Sequence, residues 1–132
     1  MDYPEVAMRF MNLDHAEFVQ LRSEILGLLE QSGLDQEIDD RLGKLLSHTV
    51  KHFADEEQLM QDAKFPPYPI HKAEHDRVIA DIQGNVALWQ KNNNAGALRE
   101  WLDQAVGEWF VQHVNTMDRM TAAFAASQGI QR

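Results

Sequence analysis

The chain has 132 residues, a net charge of −9, a pI near 5.0, 44% apolar residues and no cysteine. A chain of this length makes one domain with a real core, and its acidic balance argues against nucleic acid or an anionic membrane surface as partner. The missing thiols exclude disulfides, thiolate ligands and iron–sulfur clusters. With no charged-then-apolar leader and no apolar run of about 18 residues, the expected compartment is the cytoplasm, without membrane insertion.

Residues 1–13 read as an N-terminal arm. The first helix is expected over Asp14–Gln31, with Phe18, Leu21, Ile25, Leu28 and Leu29 on its apolar face and Ser32-Gly33 ending it. The second is expected over Asp35–Asp62, on a stripe through Ile38, Leu42, Leu45, Leu46, Phe53, Leu59 and Met60. The prolines of Lys64–Pro69 stop it, because they remove donors and fix the backbone. Pro69 suits the first turn of a third helix, Pro69–Lys91, which carries Val78, Ile79, Ile82, Val86 and Trp89. Three asparagines, Asn92 to Asn94, break the chain again. A fourth helix over Ala97–Ala126 carries Leu98, Leu102, Trp109, Phe110, Met117, Met120 and Phe124. Amphipathic helices joined by short loops turn back on one another, so residues 14–132 are expected to form an all-α, up-down-up-down antiparallel four-helix bundle.

Five of the six histidines form an ordered series with two acidic residues. His15 comes first, then His52 with Glu56, His71 with His75, and His113 with Asp118. A four-residue spacing puts two side chains on one helix face about a turn apart, where they can grip one ion. The candidates interrupt the core stripes, and burying them unpartnered costs roughly 1–3 kcal/mol for each neutral group and more for each charge. A domain of this size has about 5–15 kcal/mol of net stability, so cations must satisfy them. Seven ligands are too many for one ion. They suit a pair of borderline metals that favour imidazole plus bridging carboxylates, with iron as the natural candidate.

Singly, each element has an ordinary explanation: a capped core histidine, surface charge pairs, exposed histidines at a helix start. Their placement one set per helix, all on the core side, favours a metal site. His113 and Asp118 fit least well, since five residues advance about 140° around an α-helix. Asp118 is therefore expected to reach in from the flank. His48, one turn before His52, is expected beside the site and not in it.

The chain resembles the hemerythrins, most closely the single-domain bacterial members, over roughly residues 10–125. The resemblance rests on Asp14-His15 with Phe18, on His52-Phe53-Ala54-Asp55-Glu56-Glu57, on Tyr68-Pro69 leading to His71 and Glu74-His75, and on Trp109-Phe110 leading to His113 and Asp118. It implies a non-haem diiron centre with an oxo or hydroxo bridge that binds dioxygen reversibly, for storage, delivery or buffering. Glu56 and Asp118 would bridge the ions, His71, His75 and His113 would hold one, and His15 and His52 the other, which keeps an open position. Trp109, Phe110 and Thr116 would line the oxygen pocket. Thr116 stands where relatives usually carry a bulky aliphatic, so its hydroxyl is expected to admit water and hasten oxidation, unless it bonds the carbonyl one turn back. No catalytic residue is assigned. Five imidazoles outnumber two carboxylates and no Glu-x2-His pair occurs, so binding is favoured over oxidation chemistry and the chain reads as no enzyme. An oxygen or redox sensor module and a diiron nitric oxide or peroxide reductase are the alternatives. Dioxygen is the expected ligand. The sequence does not identify a protein that would accept oxygen or exchange electrons.

Overall fold

The computed structural model describes residues 1–132, and it is a four-helix bundle without strands. Helix α1 spans Arg9–Leu29, α2 Asp35–Ala63 and α3 Tyr68–Asn92. Helix α4 runs through consecutive segments, α-helical Ala95–Glu100, π-helical Trp101–Val106, α-helical Gly107–His113, π-helical Val114–Asp118 and α-helical Arg119–Ser127. Helix α1 packs on α2, α2 on α3, and α4 closes the bundle against the others.

The turns are built as the sequence suggests. Lys64 takes the left-handed conformation (φ 54°), and the amides of Lys64 and Phe65 donate to the Gln61 and Met60 carbonyls. That closes α2 before the prolines begin. Asn93 does the same after α3 (φ 47°), and the Asn94 side chain accepts from the Ala97 amide at 3.0 Å to start α4.

The expected 13-residue arm is shorter than the spacing implied. Arg9 to Leu13 are already helical, because Met8 and Met11 are both fully buried and draw this stretch onto the bundle. The remaining arm is tied down by Asn12, which donates to the Val6 carbonyl at 2.9 Å and accepts from the Val6 amide at 2.8 Å. No helix is long and apolar enough to cross a membrane.

The core has two apolar clusters with a polar layer between them. The larger contains Phe18, Ile25, Leu42, Leu45, Ile82, Leu102 and Phe110, among others. The smaller contains Met8, Met11, Leu59, Ala63, Ala122 and Ala125. Burying a side chain such as Leu42 or Ile25 contributes about 1.5–3 kcal/mol, so both clusters hold the layer between them in place. Beyond Asp118 the observed face differs from the expected stripe. Met120 is exposed, Met117 is half-buried, and Thr121, Ala122 and Ala125 face inward. The π-helical turn before them rotates the rest of α4 relative to an uninterrupted α-helix.

Candidate metal centre

The polar layer consists of His15, His52, Glu56, His71, His75, His113 and Asp118, all buried, with Glu56 and His75 fully so. Every histidine turns Nε2 toward the carboxylates. Glu56 Oε1 lies 3.2 Å from His75 and 3.4 Å from His71, and Oε2 lies 2.6 Å from His52. Asp118 Oδ1 lies 3.0 Å from His113 and 3.2 Å from His71, and Oδ2 lies 3.0 Å from His15. Despite these distances, Glu56 Oε1 and Oε2, Asp118 Oδ1 and His75 Nε2 are buried with no hydrogen-bond partner. Their lone pairs converge on shared points instead of aiming at one another, which is how a coordination shell is arranged.

The ligand atoms fall into two overlapping groups. Glu56, His71, His75, His113 and Asp118 form one, and His15, His52, Glu56 and Asp118 the other. Both carboxylates belong to both groups, whereas the histidines divide three and two. The donors are imidazole and carboxylate only, suited to borderline divalent ions and not to soft ones.

Helix geometry explains most of this. His52 and Glu56 share a face of α2, and His71 and His75 share a face of α3, as the four-residue spacing requires. Asp118 shares its face with His113 by a different route from the flanking approach expected. Residues Val114–Asp118 are π-helical, and hydrogen bonds from i to i+5 take one more residue per turn. A five-residue spacing therefore returns to the same face.

Three ring orientations are set from outside the layer, by residues to which the sequence reading gave no role. His52 Nδ1 donates to Asp14 Oδ2 at 2.7 Å and His75 Nδ1 to Glu57 Oε2 at 2.9 Å, and His71 Nδ1 pairs with the Thr121 hydroxyl at 2.8 Å. The two carboxylates, which only accept, keep the proton on Nδ1 of His52 and His75 and leave Nε2 facing the layer. The signal for Asp14 and Glu57 was their position beside His15 and Glu56, on the flank of the core stripe. Thr121 had no local signal, since its partner lies 50 residues away. Phe53 stacks on His75 with ring centroids 3.8 Å apart, and Trp109 on His113 at 4.7 Å.

Without cations, the same carboxylates would hold protons on the rings. Burial alone would lower His52, but the nearby Glu56 charge and the bond to Asp14 push it up to about 10. Burial is likewise overcome at His71 by the close Asp118 and Glu56 carboxylates, which raise it to about 9. Glu56 is held well below the usual carboxylate range by His52, His71 and His75, against its burial. Asp118 is also held low, because the close His113 ring and the bond with His15 outweigh burial and the Glu56 charge. The layer is a preformed anionic seat for positive charge.

A cavity of about 20 Å³ adjoins the poorer ligand group. It touches His15, His52, His113 and Asp118 but neither His71 nor His75. Phe18, Phe53, Trp109 and Phe110 form its apolar wall, and Phe18 and Phe110 stack at 5.0 Å. Thr49, Asp14 and His48 complete the lining. Trp109 and Phe110 line this cavity and Thr116 does not. It is exposed, its hydroxyl donates to the Gln112 carbonyl at 2.7 Å, and it takes no part in the cavity. The widened turn between Val114 and Asp118 carries it outward. His48 stands beside the layer as expected, half-buried and parallel to the His52 ring at 6.3 Å.

Taken together, these features define a four-helix bundle built around a buried layer of histidines and carboxylates suited to holding metal. The model of the hemerythrin HHE cation binding domain matches residues 6–125, and the chain belongs to the hemerythrin family. It is 30% identical to a bacteriohemerythrin of Aquifex aeolicus over 89% of both chains. It is 33% identical to one of Ralstonia nicotianae, covering 88% of this chain and 80% of that protein. A myohemerythrin of Sipunculus nudus is 37% identical over 59% of this chain and 58% of its own. In fold, the bundle matches the crystal structure of a hemerythrin point mutant with a TM-score of 0.78, at 23% identity, covering 96% of this chain and 97% of that one.

Proposed function

We propose that the chain holds two iron ions in this layer and binds dioxygen reversibly on the side of His15 and His52. Glu56 and Asp118 would be shared between the ions, His71, His75 and His113 would help hold one, and His15 and His52 the other, with fewer protein ligands. The observation that carries this reading is the coincidence of the two-histidine group with the small cavity. A cavity needs about 10–15 Å³ to hold one water-sized molecule, so about 20 Å³ leaves room for a small ligand such as dioxygen and not for a large substrate. When bound, a pair of iron(II) ions supplies the two electrons that retain dioxygen and recovers them on its release.

The chain's own residues favour holding over turnover. Four aromatic rings, Phe18, Phe53, Trp109 and Phe110, make much of the cavity wall apolar. Of the polar lining, the Thr49 hydroxyl is committed to the Leu45 carbonyl at 2.7 Å, and His48 Nε2 to the Asp14 carbonyl at 3.0 Å. Neither offers that proton to a ligand in the cavity, which supports a binding protein over a reductase. The test is the optical spectrum of iron-loaded, reduced protein before air, in air and after argon sparging. The reading expects a new absorption band in air that disappears under argon and returns over repeated cycles. Conversion in one step to a spectrum that argon does not reverse would refute it.

A further inference from the structure

His52, His71 and His75 each engage a partner outside the layer through Nδ1. His15 does not, because its Nδ1 is buried with no hydrogen-bond partner. Its only bond runs from Nε2 to Asp118 Oδ2, at 3.0 Å. A ring anchored at Cβ and bonded only at Nε2 can still turn about that line, so packing must fix its plane. Three rings pack against it, all steeply inclined: His52 at 5.4 Å and 71°, Phe110 at 5.6 Å and 90°, and Tyr3 at 6.3 Å and 90°. Such edge contacts, with centroids about 4.5–7 Å apart, are the arrangement that aromatic quadrupoles favour. His52 belongs to the layer and Phe110 to the cavity wall, whereas Tyr3 comes from the arm that precedes α1. Tyr3 also meets Phe110 at 5.1 Å and 81°, and Phe110 stacks on Phe18 across the same wall. One half-buried side chain therefore braces both His15 and the wall beside it. The arm is held for this task, since Val6 exchanges two bonds with Asn12 and Met8 is fully buried.

We propose that Tyr3 is a positioning residue that fixes the plane of His15 from outside the four helices, as Asp14, Thr121 and Glu57 fix the other rings. Its effect on a second, more loosely held ion rests on the two-ion reading above; its hold on the His15 ring does not. The first arm titrates cobalt(II) into chelated protein against a competing chelator, followed by visible absorption. Tyr3→Ala should weaken the looser ion roughly tenfold, the lower end for groups that orient metal-binding histidines, and leave the tighter one unchanged. Tyr3→Phe keeps the ring and should retain wild-type affinity. Val6→Ala trims the same arm where it packs on the apolar clusters; it should lower Tm without changing cobalt affinity. The second arm needs no metal. Nitrogen-15 NMR of chelated protein should show one set of His15 ring resonances in wild type and Tyr3→Phe, and a doubled or broadened set in Tyr3→Ala. Unchanged His15 resonances in Tyr3→Ala overturn the proposal. So does an equal loss of affinity in Tyr3→Ala and Val6→Ala, which would reduce Tyr3 to arm packing. Wild type that takes up only one cobalt refutes the two-ion reading, and the His15 resonances then decide the role of Tyr3.

Discussion

Removing the metal ions should destabilise the chain severely, and increasingly so at alkaline pH. Chelation leaves Glu56 Oε1 and Oε2, Asp118 Oδ1 and His75 Nε2 buried with no hydrogen-bond partner. At about 1–3 kcal/mol for each such atom, the penalty is on the order of 4–12 kcal/mol, comparable with the whole stability of a small domain. Protons on His52 and His71 offset part of it. These rings, raised to about 10 and about 9 from 6.5 in the unfolded chain, stabilise the fold fully below pH 6.5 and lose that contribution as pH rises through 9 and 10. Glu56 and Asp118, held low, contribute above their ordinary values of 4.5 and 3.8 and lose that contribution as pH falls through their lowered values. Scanning calorimetry of loaded and chelated protein at about pH 6 and about pH 9 reads both effects. Since roughly 1 kcal/mol moves Tm by about 2–8 °C in domains of this size range, chelation should lower Tm by more than about 10 °C at pH 6 and further at pH 9. Chelated protein that melts with the loaded form, or gains stability between pH 6 and 9, would show that the layer does not carry these charges.

Other expectations follow from particular contacts. Thr116→Leu should leave spontaneous oxidation of the oxygenated protein unchanged, because the side chain is exposed and bonded to Gln112. A decay rate altered twofold or more at fixed pH and chloride would place it in the pocket after all. Asp14→Asn should weaken retention of the more loosely held ion by roughly 10–100-fold, the usual effect of removing a residue that orients a metal-binding histidine, as read by chelator competition. Unchanged affinity would mean that the 2.7 Å bond to His52 is incidental. Gly107→Ala should lower stability by about 1–3 kcal/mol in denaturant titration, since a Cβ there would sit 3.1 Å from Arg22 Nη2. That buried guanidinium donates to the carbonyls of Leu102 (2.8 Å) and Asp103 (3.1 Å) in the first π-helical stretch. A neutral substitution would show that Arg22 can shift without losing these bonds.

The bundle was legible because its four helices have clear faces and firm breakers, and the buried polar layer because its residues break those faces at helical spacing. What stayed hidden has one physical source in each case. The start of α1 was hidden because Met8 and Met11 gain burial from helices far along the chain. Thr121 was hidden because its role is a bond to His71 across the bundle. The positions of Thr116, Met117 and Met120 were misjudged together, because counting at 100° per residue fails wherever a helix widens.

That widening also accounts for the spacing that looked least helical. Glu56 reaches both ligand groups from an ordinary α-helix at four residues from His52, and its long side chain spans to His71 and His75 on α3. Asp118 is one methylene shorter, yet it must reach His15, His71 and His113, which lie on three different helices. A short carboxylate can do so only if its backbone comes closer to the layer. The π-helical turn supplies that approach by adding a residue between His113 and Asp118 while keeping both on one face. Such turns are rare and concentrate at functional sites, so one persists where packing or bound ligands compensate. Here Glu56 Oε1 and Oε2 and Asp118 Oδ1 are buried with no hydrogen-bond partner, and a cation held among them would be the compensation. The five-residue spacing, the widened turn and the short acidic side chain are thus one solution to a single requirement, a carboxylate placed among His15, His71 and His113.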